Sequence, residues 1–134
     1  MENLELIKLA INAREMAYAP YSGFKVGAAL LAKSGKVYLG CNVENASYTP
    51  TNCAERTAFF KAISEGEREF EKIAIVGGMG DNLSESCPPC GVCRQVIAEF
   101  CDGDFSIVLG TKEKVLEYKL SDILPLAFTP KSLK

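Results

Sequence analysis

The chain contains no histidine and no tryptophan, and its 134 residues carry 15 Lys and Arg against 17 Asp and Glu. Without histidine, any zinc site must be assembled from thiolates and carboxylates. The formal net charge of -2 lacks the basic footprint of a protein that tracks phosphate backbones, so nucleic acid is not an expected partner. Long hydrophobic runs are missing too. The apolar stretch over residues 26–32 is strand-sized, far below bilayer length, so no membrane association is expected. The acidic N-terminus does not follow a signal-peptide pattern, and a cytoplasmic location is the expectation. No repeat, low-complexity tract or linker divides the chain. With 48% hydrophobic residues it can bury one core, so residues 1–134 are expected to form a single domain.

Against these absences stand six cysteines. In so short a chain they could form a secreted disulfide framework, but the spacing Cys90-Gly91-Val92-Cys93 and the ordinary core favour reduced thiols kept for a metal. Cys53-Ala54-Glu55 adds a third thiolate and a carboxylate. Three thiolates hold a zinc ion and leave one coordination position open, and an open position distinguishes catalytic zinc from the closed structural kind. Glu55 then reads as the proton carrier for a water at that position. Two plainer readings compete. A Cys-x-x-Cys at a helix start also suits a redox dithiol, although that leaves Cys53 and Glu55 without a role and lacks the usual preceding Trp. Alternatively Cys41 or Cys87 could close a structural four-thiolate site, making Glu55 incidental. Cys41, Cys87 and Cys101 are otherwise expected to be free.

Apolar residues at helical spacing, Leu4, Ile7 and Ile11 with Leu6, Ala10, Ala13 and Ala17, predict a helix over residues 4–18 that Pro20 ends. Strands follow over 25–32 and 36–43, joined by a Ser34-Gly35 hairpin turn. Thr51 or Asn52 is expected to cap a helix running to about Glu65, with Gly66 as its left-handed stop. Residues 73–76 read as a buried strand, after which Gly77, Gly78 and Gly80 open a polar loop. A helix over 90–101, strands over 105–109 and 115–119, and a short helix capped by Ser121 and limited by Pro125 complete the chain. Strands alternating with helices in the second half predict parallel neighbours. The expected fold class is therefore α/β, with a mixed five-stranded sheet and helices packed on it.

Both halves of the candidate metal site fall at helix starts, where unpaired N–H groups and the helix dipole favour thiolate over thiol. Three-thiolate zinc, a Glu that is not a ligand and the Pro89-Cys90-Gly91-Val92-Cys93 half are the combination used by zinc nucleobase deaminases. On these residues the chain resembles the cytidine deaminase family. The resemblance extends through residues 18–22, Phe24, residues 26–30 and Gly40-Cys41-Asn42-Val43-Glu44-Asn45, and covers about residues 4–128. It implies a three-layer α/β/α fold and one zinc per chain on Cys53, Cys90 and Cys93. It also implies proton transfer by Glu55 to ring N3 of cytosine and then to the exocyclic amine, as water attacks C4 and ammonia leaves. Arg56 is implied to hydrogen-bond a ligand sulfur and temper the thiolate charge. Asn42 and Glu44 are implied to hold the ribose 3'-hydroxyl, Phe24 and Ala54 to line the nucleoside site, and Tyr48 and Phe128 to contribute to sites shared in a homotetramer. A carboxylate at Glu44 would repel a 3'-phosphodiester, so the expected substrate is a free nucleoside, cytidine or 2'-deoxycytidine, in pyrimidine salvage. Another cytosine nucleoside such as blasticidin S is the alternative. Pro88 departs from the Ser or Thr common in relatives; it keeps a carbonyl for the substrate amine but has no hydroxyl.

Overall fold

The computed structural model describes residues 1–134. In chain order the elements are α1 (Asn3–Arg14), β1 (Phe24–Ala32), β2 (Val37–Cys41), α2 (Ala54–Ser64), β3 (Phe70–Met79), α3 (Gly91–Phe100), β4 (Ser106–Gly110), β5 (Val115–Lys119) and α4 (Leu120–Ile123). The strands form one mixed sheet in the order β2-β1-β3-β4-β5. As expected from the sequence, β1 and β2 pair antiparallel; β3 and β4 are parallel, whereas β4 and β5 are antiparallel. Parallel pairing thus holds only where α3 supplies a crossover. The four residues between Gly110 and Val115 make a hairpin, with Gly110 at φ 118, and so short a connection permits only antiparallel neighbours.

Both faces of the sheet are covered, which explains why β1 reads as a continuous apolar run. Ala29 and Leu31 of β1 join Ala74, Val76 and Val108 against Leu6, Ile7 and Ala10 of α1. Ala28, Leu30 and Ala32 face the other way with Ile73, Ile75, Ile107 and Leu109, against Ala54, Ala58 and Phe59 of α2 and Ile97 of α3. No helix is long and apolar enough to cross a membrane.

Several expected boundaries move, each for a packing reason. Helix α1 stops at Arg14, before Pro20 can act, because Tyr18 leaves the helix and bridges Val43. Leu4 is exposed, and the buried stripe is Leu6, Ile7, Ala10 and Ala13. Strand β2 ends at Cys41 instead of Val43 because the Asn42 side chain takes over the bonding to β1. Gly77 and Gly78 do not open a loop; they extend β3, paired with Val26 and Lys25. Their lack of a side chain serves close packing: a Cβ on Gly77 would lie 2.6 Å from the Cys87 Sγ, and one on Gly78 1.9 Å from the Asn82 carbonyl oxygen. The turn comes at Gly80, where φ is 56. Ser121 lies inside α4, whose N-cap is Lys119, and Cys53, rather than Thr51 or Asn52, is the N-cap of α2.

Candidate metal centre

Helices α2 and α3 start side by side, and their first turns bring the three sequence-predicted cysteines together. Cys53 is the N-cap of α2, Cys90 is the N-cap of α3, and Cys93 lies in the first turn of α3. Their sulfurs all lie within 4.8 Å of one another, and no fourth Cys, Asp or Glu joins the group. The Cys53 and Cys90 sulfurs are 3.8 Å apart. Zinc–sulfur bonds of about 2.3 Å separate the sulfurs of a tetrahedral site by about 3.8 Å, so the trio fits zinc with one corner left over. Cys41 and Cys87 stay outside the cluster, and all six cysteines are free thiols, without a disulfide. The closed four-thiolate site therefore loses its structural basis.

One close approach sets the position of α2. Gly40 of β2 sits beneath the first turn of the helix, where a Cβ would lie 2.4 Å from the Ala54 carbonyl oxygen and 2.6 Å from the Ala58 nitrogen. Only glycine lets the helix end that carries Cys53, Ala54 and Glu55 settle this close to the sheet. Thr57 Oγ1 reinforces the turn by donating to the Cys53 carbonyl at 3.1 Å, and Asn52 Nδ2 donates to Thr57 Oγ1 at 3.1 Å. The α3 half is fixed by Arg94, whose Nε donates to the Pro89 carbonyl at 2.7 Å and whose Nη1 donates to the Ile123 carbonyl at 2.6 Å.

Glu55 is 4% exposed. Burial is the main cause that pushes its carboxyl up to about 7, with the neighbouring Cys53 charge adding to the effect. A carboxyl poised near neutrality can both take and give a proton. Protons are unevenly shared among the sulfurs. Hydrogen bonding from Cys93, with further help from Arg56, lowers the Cys53 thiol to about 5, while the same bond to Cys53 and burial raise Cys93. Arg56 Nη2 donates to Cys53 Sγ at 3.3 Å, and its buried Nε has no hydrogen-bond partner. A cation held against sulfur with a donor to spare suits a cluster that carries excess negative charge.

The other sequence-predicted residues fall into two groups. Phe24, Asn42 and Glu44 are tied together at the start of β1. Asn42 is 8% exposed; its Oδ1 accepts from the Val26 N–H at 2.9 Å and its Nδ2 donates to the Phe24 carbonyl at 2.8 Å, leaving one amide hydrogen uncommitted. Glu44, with Tyr21, Ser22, Tyr48 and Thr51, lines an open depression of about 390 Å3. Tyr48 holds a left-handed backbone, φ 65, and its ring meets that of Tyr21 edge to face at 6.4 Å. Phe128 stands apart. It lies on the C-terminal segment, 59% exposed, with its carbonyl accepting from Gln95 Nε2 at 2.7 Å. A cavity of about 630 Å3 runs between the end of α3 and the C-terminal segment and is lined by none of the three clustered cysteines. Sequence reasoning assigned no role to Ser22, which bonds both Glu44 and Phe24. The available signal was a serine two residues before a strand, where a hydroxyl commonly caps the backbone.

A family model described as the cytidine and deoxycytidylate deaminase zinc-binding region matches residues 1–109. The chain is 52% identical over 134 residues to a cytidine deaminase of Halalkalibacterium halodurans, covering 99% of this chain and 98% of that protein. It is 28% identical over 132 residues to a blasticidin-S deaminase of Bacillus cereus. The crystal structure of cytidine deaminase from Burkholderia pseudomallei superimposes with a TM-score of 0.88 at 50% identity, covering 96% of this chain and all of the other.

Proposed function

The chain belongs to the family of zinc-dependent cytidine deaminases, and from that premise we propose that it hydrolyses cytidine, and 2'-deoxycytidine with it, to the corresponding uridine and ammonia. The observation that carries the reading is the gathering of Cys53, Cys90 and Cys93 at two helix N-termini beside a buried carboxyl, Glu55. Cys53, Cys90 and Cys93 hold the zinc, which when bound activates water at neutral pH and stabilises the developing negative charge.

Glu55 takes the proton released by that water and passes it to N3 of the cytosine ring as the C4–O bond forms. It then moves the remaining hydroxyl proton to the exocyclic nitrogen. The C4–N bond breaks, ammonia leaves, and C4 becomes the carbonyl of uracil. Its burial and its raised pKa, about 7, support both transfers. Arg56 offsets thiolate charge through its bond to Cys53. Asn42 offers its free amide hydrogen and Glu44 an acceptor to the ribose 3'-hydroxyl, while Phe24 and Ala54 flank the nucleoside.

Phe128 and Tyr48 are large, exposed aromatics, and we assign them to neighbouring sites in a homotetramer. The enzyme acts on free nucleosides in pyrimidine salvage in the cytoplasm, without nucleic-acid or membrane partners. The test is loss of cytosine absorbance with cytidine, beside cytidine 5'-monophosphate and blasticidin S, with zinc counted in the same preparation. Conversion of cytidine at about one zinc per chain is the expected result. Zinc without conversion of cytidine, or turnover of blasticidin S alone, refutes the reading.

A further inference from the structure

Three hydrogen bonds from Tyr21 and Ser22 converge on the Glu44 carboxylate. Oε1 accepts the N–H groups of Tyr21 at 3.0 Å and Ser22 at 3.1 Å, and Oε2 accepts the Ser22 hydroxyl. An ionised carboxylate offers about four lone-pair positions. Three are used, so a single acceptor position remains, on Oε2. Ser22 is itself constrained, because its Oγ accepts the Phe24 N–H at 3.0 Å. With an incoming N–H on one side, the hydroxyl hydrogen has a single strong acceptor in reach, the Glu44 carboxylate. The Ser22 bond is also the leading cause that holds the Glu44 carboxyl below its ordinary range, ahead of the backbone N–H groups of Ser22 and Tyr21.

We propose that Ser22 is a positioning residue for substrate specificity: its hydroxyl, locked by the Phe24 N–H, orients Glu44 so that its last acceptor position meets a nucleoside 3'-hydroxyl. The inference rests on the assignment of Glu44 to the ribose. It explains why one exposed serine joins two residues assigned to the substrate. The Phe24 backbone carries the other end of the relay, with its N–H on Ser22 and its carbonyl on Asn42. The strand start beneath the nucleoside and the carboxylate beside the ribose are therefore set by one connected network. Without the hydroxyl, Oε2 has two open positions and a rotor free to take either, and the Phe24 N–H loses its acceptor.

The experiment compares cytidine with 3'-deoxycytidine in the wild type, Ser22→Ala and Ser22→Thr, using the zinc-loaded protein. Ser22→Ala is expected to lower kcat/KM for cytidine about tenfold, the scale of one hydrogen bond to a charged group, mainly through KM. With 3'-deoxycytidine, which offers Glu44 nothing to bind, the same variant should change kcat/KM less than about twofold, because the coupled interaction is already gone. Ser22→Thr should restore discrimination. Equal losses on both substrates would overturn the proposal, since that is what a purely structural turn residue gives. Wild-type kcat/KM for cytidine in Ser22→Ala would overturn it as well. The wild type separates this failure from failure of the underlying assignment: if it does not discriminate between the two nucleosides, the role of Glu44 itself falls, and the proposal falls with it.

Discussion

Replacing Gly40 by alanine tests whether the seat of α2 on the sheet is what aligns the metal centre. The added Cβ would lie 2.4 Å from the Ala54 carbonyl oxygen, 2.6 Å from the Ala58 nitrogen and 3.1 Å from the Ala58 Cβ. The first two are rigid helix backbone, so no side-chain rotation relieves the clash. Restoring a carbon–oxygen contact of about 3.3 Å requires the helix to retreat by roughly 0.9 Å. Overpacking of this kind costs about 2–3 kcal/mol, which for a domain of this size lowers Tm by roughly 6–9 °C. The retreat displaces the same turn that carries Cys53 and Glu55, and a misplacement near 1 Å costs on the order of a hundredfold in rate. Thermal denaturation, zinc content and kcat/KM for cytidine should be measured together, with Gly91→Ala as the control. A Cβ on Gly91 meets nothing within 4 Å, so that variant should stay within about 1 kcal/mol of wild type. A Gly40→Ala enzyme with wild-type Tm and kcat/KM would refute the reasoning.

Two substitutions separate the chemistry from the metal: Glu55→Gln should keep its zinc and fold while losing about 10²- to 10⁴-fold in kcat, and Cys90→Ala should lose the zinc itself, both read by metal analysis beside steady-state rates. Arg14 is 5% exposed and has no carboxylate partner; its Nε donates to the Lys25 carbonyl and its Nη2 to the carbonyls of Gly78 and Gly80. Arg14→Met leaves those acceptors without their donor and should destabilise the fold by about 3 kcal/mol, measured by urea unfolding. Burial, reinforced by Asp102 and Asp104, pushes the Cys101 thiol up to about 12. Because only the thiolate reacts, iodoacetamide at pH 8 should leave Cys101 unmodified in peptide maps, with labelling accelerating as the pH rises toward that value.

Much of the architecture was legible because periodicity and chemistry agreed. The hairpin at Ser34-Gly35, the five strands and the stop at Gly66 follow from local rules, and Gly35 and Gly66 take φ 94 and 100 as those rules require. What stayed hidden depends on contacts between distant segments. Nothing local says that Gly77 and Gly78 lie in a strand, because the reason is the approach of Cys87 and of residues 82–83 to their backbone. Nothing local says that Asn42 ends β2 by substituting its side chain for the next rung of the ladder. The strand over residues 115–119 is where the sequence places it, but its antiparallel direction departs from the parallel expectation, because the alternation of strands and helices stops at β4.

The cap of α2 is a different kind of failure. Thr51 and Asn52 are the better capping residues by intrinsic preference, yet the N-cap is Cys53, and α3 begins on Cys90 in the same way; neither makes a side-chain cap hydrogen bond. An oxygen cap contributes about 1 kcal/mol per helix, so the fold forgoes stabilisation at two adjacent helix starts. What it gains is two sulfurs at the positive ends of two dipoles, the Cys53 thiol lowered to about 5 by its bonds to Cys93 and Arg56. Three thiolates on one zinc make a poor Lewis acid unless their charge is drawn off. In the proposed mechanism the helix ends draw off part of that charge, and Arg56, donating to Cys53 Sγ, draws off a further share. Capping preference also fails where α1 begins on Glu2 and α4 on Lys119, but at α2 and α3 the residue standing in for the oxygen cap is a sulfur of the metal centre, as expected when local consistency is given up at a functional site.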